Sequence, residues 1–423
     1  MLQNTYPFEQ HQLAVDQVDP DALYVMQKLR ESGFVAYLVG GSVRDLLLKK
    51  HPKDFDISTS AKPEEIKSLF RNCILIGKRF RLAHIRFGRK VLEVSTFRSG
   101  DTENEALIIR DNKWGSPEED VLRRDFTING LFYDPSSQTI IDYVGGYPDI
   151  QRKYLRTIGQ PFIRFKQDPV RMIRLLKFQA RFGFDIDSET LVALLECRHE
   201  ITKSSPARIL EELLRMLESC AAQPFFRLMT ENGILHLMLP NLASFMEAAE
   251  GEEVYSYLSE VDTNLHEPHT PPLERSLLLS CLIFPVLQKR IQTHYVERER
   301  HPHLGEIQNE TNILIDEVFR PFFHIPRRLR IGIISILTSQ YRLTPIEKRK
   351  PRRPRIPNDP DFPLALKFLQ IRSLLEPGLQ KVWEEWNEAY TSPHRIPIKR
   401  RRRPRKKPSR HPKSDKQHET QNP

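Results

Sequence analysis

Cysteine is scarce: four in 423 residues, at Cys73, Cys197, Cys220 and Cys281, with no CxxC pair. That argues against a thiolate zinc site or a disulfide framework and suits a reducing compartment, the cytoplasm. Long apolar runs are absent. No stretch approaches the ~18–20 consecutive apolar residues of a membrane-spanning helix. Residues 1–12 are polar and lack the apolar segment of a secretory signal. An acidic excess is also missing. Lys and Arg number 65 against 55 Asp and Glu, a net charge of +10. From Arg395 to Pro423 there are 12 basic and 2 acidic residues, which leaves 53 of each sign in the preceding 394. A neutral body with a basic appendage suits a polyanionic partner. The length exceeds one compact core and implies two or three domains.

Residues 1–20 read as a loose leader. Apolar residues at helical spacing over 22–29 stop at Gly33. A β-branched and aromatic run at 35–39 predicts a strand, and 43–50 a helix. Further strands are expected at Phe55-Asp-Ile57 and 140–144, and a hairpin at 83–87 and 91–97 around Gly88. Residues 121–132 read as helix. After residue 160 helical periodicity takes over, in 169–182, 188–197, 206–220, 224–232, 273–288 and 363–387. Of 32 prolines, 13 fall in the last 81 residues, so order is expected to weaken there. The chain thus reads as an α+β domain followed by a helical region. The run 399–408 is too polar to bury a core and reads as disordered.

Three constellations can carry chemistry. The first is Leu38-Val-Gly-Gly-Ser-Val-Arg-Asp45, followed by Asp54-Phe-Asp56. A strand entering Gly-Gly-Ser and a helix offers bare amides to an anion. Alone, it is also explained as a strand–helix turn capped by Ser42. It lacks the Walker lysine pattern. Asp54 and Asp56, two apart on a strand, project from one face while Phe55 and Ile57 turn inward. Such a pair invites a hard cation, Mg²⁺, and with an anion cradle suggests metal-assisted phosphoryl transfer. Glu93 could add a third carboxylate or be an exposed strand residue. The second is Asp120-Val-Leu-Arg-Arg-Asp-Phe-Thr-Ile-Asn129, where Asp125 and Asn129 would share a helix face beside Arg124. The third is Asp168-Pro-Val-Arg171 and onward, where Asp168 would be an N-cap and Pro169 the first helical residue. Arg171, Arg174, Lys177 and Arg181 then form a basic stripe.

These motifs, in this order together with Asp142-Tyr-Val-Gly-Gly146, resemble the class II nucleotidyltransferases, the tRNA CCA-adding enzymes and bacterial poly(A) polymerases. The resemblance covers roughly residues 20–240. Gly77-Lys-Arg-Phe-Arg-Leu-Ala-His-Ile-Arg-Phe87 is similar to the signature of the poly(A) polymerases, and so is the Arg/Pro-rich tail. The resemblance implies a polymerase β-like α+β nucleotidyltransferase domain with a small antiparallel or mixed sheet, then an all-α RNA-binding region and a disordered basic tail. Its implied division is a leader 1–20, a catalytic head 21–160 and a helical base-recognition neck 161–240. A helical RNA-binding body 241–394 follows, with a basic Pro-rich interruption at 345–360, and then the tail 395–423.

Residue roles follow from the same resemblance. Asp54 and Asp56 would hold two Mg²⁺ ions, and Asp125 would be a third active-site acid or a ribose contact. Gly41, Ser42 and Arg44 would bind the triphosphate, and Arg124 and Asn129 would line the nucleotide pocket. Asp168 and Arg171 would read the base, supported by Arg208. The family's usual Glu-Asp-x-x-Arg is Gln167-Asp168-x-x-Arg171 here, one carboxylate fewer. The tail residues Lys399, Arg400, Arg401, Arg402, Arg403, Arg405, Lys406 and Lys407 would add RNA phosphate contacts. The implied activity is transfer of AMP from ATP to RNA 3′ ends with release of pyrophosphate, and through mRNA polyadenylation the promotion of mRNA decay. A cytoplasmic monomer with no membrane partner is expected. A CCA-adding enzyme is the nearest alternative, and a catalytically silent RNA-binding protein is an alternative of another class.

Overall fold

The computed structural model describes residues 3–77, 82–100, 113–266, 272–346 and 354–392. The tail residues Lys399–Lys407 and positions 347–353 of the 345–360 interruption lie outside these residues, as do positions 78–81 of the signature-like segment.

The head is built on one mixed sheet of eight strands: β1 (Asn4–Tyr6), β2 (Ala36–Val39), β3 (Asp56–Thr59), β4 (Cys73–Ile76), β5 (Leu82–Phe87), β6 (Lys90–Thr96), β7 (Leu131–Asp134) and β8 (Thr139–Asp142). Their order is β1-β8-β7-β2-β3-β6-β5-β4. Only β3 and β6 run parallel, with Ile57 opposite Val94. The leader expectation is corrected by β1: Asn4 pairs with Asp142 and Tyr6 with Ile140, sealing a sheet edge. Leu13 and Val18 are buried in the main core. Helix α1 (Pro20–Glu31) starts where the Asp19 carboxylate accepts from the amides of Asp21 and Ala22, and it buries Ala22, Val25, Met26 and Leu29.

The helix expected over 121–132 does not form. Helix α2 (Pro117–Leu122) is short, a single 3₁₀ turn spans Thr127–Asn129, and β7 follows. The backbone in between is claimed elsewhere. Thr127 N–H donates to Arg156 O and Ile158 N–H to Asp125 O, so this segment bridges to another strand-like stretch and cannot wind.

Beyond the head the chain is helical. Helices α3 (Pro161–Gln167), α4 (Val170–Phe182), α5 (Ser188–Cys197) and α6 (Pro206–Leu217) form the region next to the sheet. One continuous apolar core runs from Val25 and Ile57 through Phe126, Phe165 and Phe225 to Phe284 and Phe368. The helix expected over 363–387 is two, Phe362–Leu375 and Gln380–Thr391, divided at Pro377, which has no amide to donate. Among the described residues, no helix is long and apolar enough to cross a membrane.

Candidate active site

β2 ends in Gly40, whose φ of 69° and ψ of −128° suit only glycine. A Cβ there would sit 3.1 Å from Arg124 Nη1, so this glycine also makes room for that guanidinium. The following helix spans Gly41–Leu47. Its N-cap is Gly40, not Ser42, because the turn enters the helix two residues earlier. The Ser42 hydroxyl is buried and donates to Val39 O at 3.0 Å.

The two aspartates were expected on one strand, but only Asp56 belongs to it. Asp54 is exposed, just before β3, and Asp56 is the first residue of the strand, with Phe55 and Ile57 buried. The β3–β6 register puts Glu93 beside Asp56, while Leu92 and Val94 pack inward. Burial pushes the Asp56 carboxyl up to about 6; Glu93 and Asp54 add to this and Arg124 opposes it. Asp56 is thus an under-compensated negative group. Among the described residues, no three His, Cys, Asp or Glu side chains are gathered tightly enough to hold a metal by themselves. A hard cation here would take these carboxylate oxygens and complete its shell with water and substrate oxygens, the usual habit of Mg²⁺.

Arg124 is steered by a residue to which the motif reading gave no role. The fully buried Asp120 accepts from Arg124 Nε and Nη2 at 3.2 and 2.8 Å through one oxygen. Its other oxygen accepts from Arg123 Nε at 2.9 Å and from the Arg98 amide at 3.1 Å. Burial raises the Asp120 pKa, but the two arginines outweigh it and hold the carboxyl below its usual range. The signal was present, since Asp120 precedes the arginines by three and four residues on a helix.

Asp125 and Asn129 do meet, but through a turn rather than a helix face. Asp125 Oδ1 accepts from Asn129 Nδ2 at 2.9 Å and from the Phe126 amide at 2.8 Å. Its Oδ2 lies 2.8 Å from Arg174 Nη2. Asn129 Oδ1 in turn accepts from Arg44 Nη1 at 2.5 Å. Arg44 is buried, gives Nε and Nη2 to Asp45 at 2.9 and 2.7 Å, and lies 4.9 Å from each of the Phe178 and Phe182 rings. These groups form a chain, Arg174–Asp125–Asn129–Arg44–Asp45, that ties α4 to the head. Arg44 and Asn129, expected at the triphosphate and in the pocket, are both members of this chain.

The base-reading residues divide. Arg208 grips Asp168 with two bonds of 3.0 and 2.9 Å, at a partly exposed position. Arg171 is buried and donates to Arg164 O and Arg123 O at 3.2 and 3.1 Å. Gln167 Oε1 accepts from the buried Arg164 Nη1 at 2.7 Å. Helix α4 begins at Val170, with Pro169 as N-cap, so Asp168 stands one residue before it. The basic stripe is not a solvated face. Arg174 meets Asp125, and Lys177 meets Glu212 at 2.6 Å.

A family model described as "Poly A polymerase head domain" matches residues 36–156. Models described as "Probable RNA and SrmB-binding site of polymerase A" and "Polymerase A arginine-rich C-terminus" match 183–246 and 311–418. Poly(A) polymerase I of Escherichia coli O6:H1 is 34% identical over 403 residues, 91% of this chain and 85% of that protein. The Salmonella typhimurium protein of that name is 32% identical over 432 residues, 95% of this chain and 91% of its own. A CCA-adding enzyme of Staphylococcus epidermidis is 36% identical over 211 residues, 48% of this chain and 51% of its own. A Bacillus stearothermophilus CCA-adding enzyme in complex with CTP shares the fold, with a TM-score of 0.62 at 24% identity over 88% of this chain and 84% of its own. The head sheet, its Gly-Gly turn and Asp-x-Asp strand, the helices beyond them and these full-length relatives agree: the chain belongs to the poly(A) polymerase family of class II nucleotidyltransferases.

Proposed function

We propose that this enzyme transfers AMP from ATP to RNA 3′ ends without a template and releases pyrophosphate. The observation that carries this reading is the extent of the match. Poly(A) polymerase I relatives align over nine-tenths of the chain, whereas the Staphylococcus epidermidis CCA-adding enzyme aligns over 48%. The arginine-rich C-terminal match at 311–418 points the same way.

Asp54 and Asp56 would hold Mg²⁺, with Glu93 as a third carboxylate beside them. Mg²⁺, when bound, supplies activation of the primer 3′-OH and neutralises charge on the departing pyrophosphate. The protein's own share is positioning. The amides at Gly41 and Ser42 are the donors available to the triphosphate, since the Ser42 hydroxyl is engaged with Val39. Arg124, held by Asp120 near Asp56, adds positive charge where phosphate charge gathers. Asp168 offers its carboxylate edge to an adenine amino group, and Arg208 keeps that edge oriented. Asp125 would serve as a strut, its Oδ1 hydrogen-bonded to Asn129 and the Phe126 amide and its Oδ2 ion-paired with Arg174. The tail 395–423 would tether RNA through its phosphates without choosing sequence. Tailing of mRNA that promotes its decay, in the cytoplasm, is the setting we infer for this chemistry.

A tRNA lacking its 3′ end, supplied with CTP and ATP separately, tests the reading. We expect long A tracts with ATP. Incorporation of C from CTP would replace this proposal with CCA addition.

A further inference from the structure

His84 has no part in the chemistry above, yet it faces the catalytic side of the sheet. In β5, Ala83 and Ile85 are buried, so His84 between them points to the opposite face. Its cross-strand partner is Glu93. Glu93 is in turn aligned with Asp56 through the parallel β6–β3 pairing, which sets Ile57 against Val94. His84, Glu93 and Asp56 therefore form a row across three adjacent strands, about 10 Å from end to end at ~4.8 Å per strand. His84 Nε2 lies 3.2 Å from Glu93 Oε1. Glu93 is 51% exposed in its side chain, and this contact fixes a long carboxylate that would otherwise sample several rotamers.

We propose that His84 is a positioning residue for the metal-binding carboxylates. Its Nε2–H donates to Glu93 Oε1 and holds that carboxylate beside Asp56, so the donor set is assembled before substrate arrives. The inference rests on the reading of Asp54, Asp56 and Glu93 as the cation site. It assigns His84 to metal and 3′-OH chemistry rather than to base choice, because Asp168, between α3 and α4, and Arg208, on α6, lie in the helical region beyond the sheet. Partners that orient metal ligands typically contribute about 10–100-fold in metal affinity or activity.

The test is Mn²⁺ binding to the full-length, nucleotide-free protein by electron paramagnetic resonance, with four proteins compared. His84→Leu removes the donor, His84→Gln keeps an Nε2–H at similar reach, and Asp56→Asn removes a ligand. We expect His84→Leu to bind Mn²⁺ about 10-fold more weakly, His84→Gln to recover most of the loss, and Asp56→Asn to bind least. In turnover, added Mn²⁺ should restore His84→Leu, with the ratio of ATP to CTP use unchanged. Parental affinity in His84→Leu beside a failing Asp56→Asn would overturn the role of His84 alone. Parental affinity in Asp56→Asn would overturn the cation site itself. A changed ATP-to-CTP ratio in His84→Leu, or failure of His84→Gln to recover binding while circular dichroism shows it folded, would also overturn the proposal.

Discussion

Asp125→Asn separates a strut from a metal ligand. The substitution keeps the shape of the side chain and removes its charge. The amide oxygen can keep the bonds from Asn129 and the Phe126 amide, which leaves the new NH₂ group, itself a donor, facing the Arg174 guanidinium. Breaking a fully buried ion pair costs about 3–5 kcal/mol. The Arg174 side chain is 35% exposed, so water takes part of that load. We expect a loss of about 2–3 kcal/mol, read as a lower urea midpoint by circular dichroism. The pH dependence has a definite sign. Burial raises the Asp125 pKa, but Arg174, Asn129 and the Phe126 amide outweigh it and hold the carboxyl below its ordinary 3.8. Its contribution is therefore present above pH 3.8 and is lost as pH falls through the lower native value. The gap between parent and variant should be full at neutral pH and close in acid. Mn²⁺ binding should survive in the variant. Loss of Mn²⁺ binding with an unchanged urea midpoint would refute the strut and make Asp125 a ligand.

Gly40→Ala forces a side chain into a glycine-only conformation and against Arg124, so it should cost about 1–3 kcal/mol and lower turnover; thermal melting and a primer-extension assay check both effects. Arg208→Ala frees the Asp168 carboxylate from its two-bond clamp, so the KM for ATP should rise and the preference for ATP over CTP should narrow, with little change in melting temperature because Arg208 is exposed. Deleting residues 395–423 should weaken RNA binding while single-nucleotide addition persists; the slope of log K against log salt should fall by about 0.7 for each RNA phosphate the tail neutralises, and an unchanged slope would remove the tail from RNA binding.

The parts of the site that follow from short-range pattern were legible in the sequence. Burial of Phe55 and Ile57 with Asp56 less buried between them follows local alternation, although the strand itself starts only at Asp56. The Gly-Gly turn was legible for the same reason. What periodicity could not supply were partners distant in the chain. Arg174 and Lys177 look like a solvated stripe until Asp125 and Glu212 arrive from other elements. The bond from Arg44 to Asn129, 85 residues away, is likewise invisible to local spacing. Residues 121–132 have helical spacing, yet backbone bonds to Arg156 and Ile158 outcompete it. Asn4–Tyr6 is too short to announce a strand and becomes one only on the exposed edge of β8.

The most direct test of adenylyl transfer at the Asp54–Asp56 site is primer extension on a generic single-stranded RNA with each nucleoside triphosphate in turn, beside Asp54→Ala. We expect a long ladder of added A with ATP, little product with CTP, GTP or UTP, and none from Asp54→Ala, which should remain folded. A ladder from Asp54→Ala, or addition from CTP with none from ATP, would contradict it.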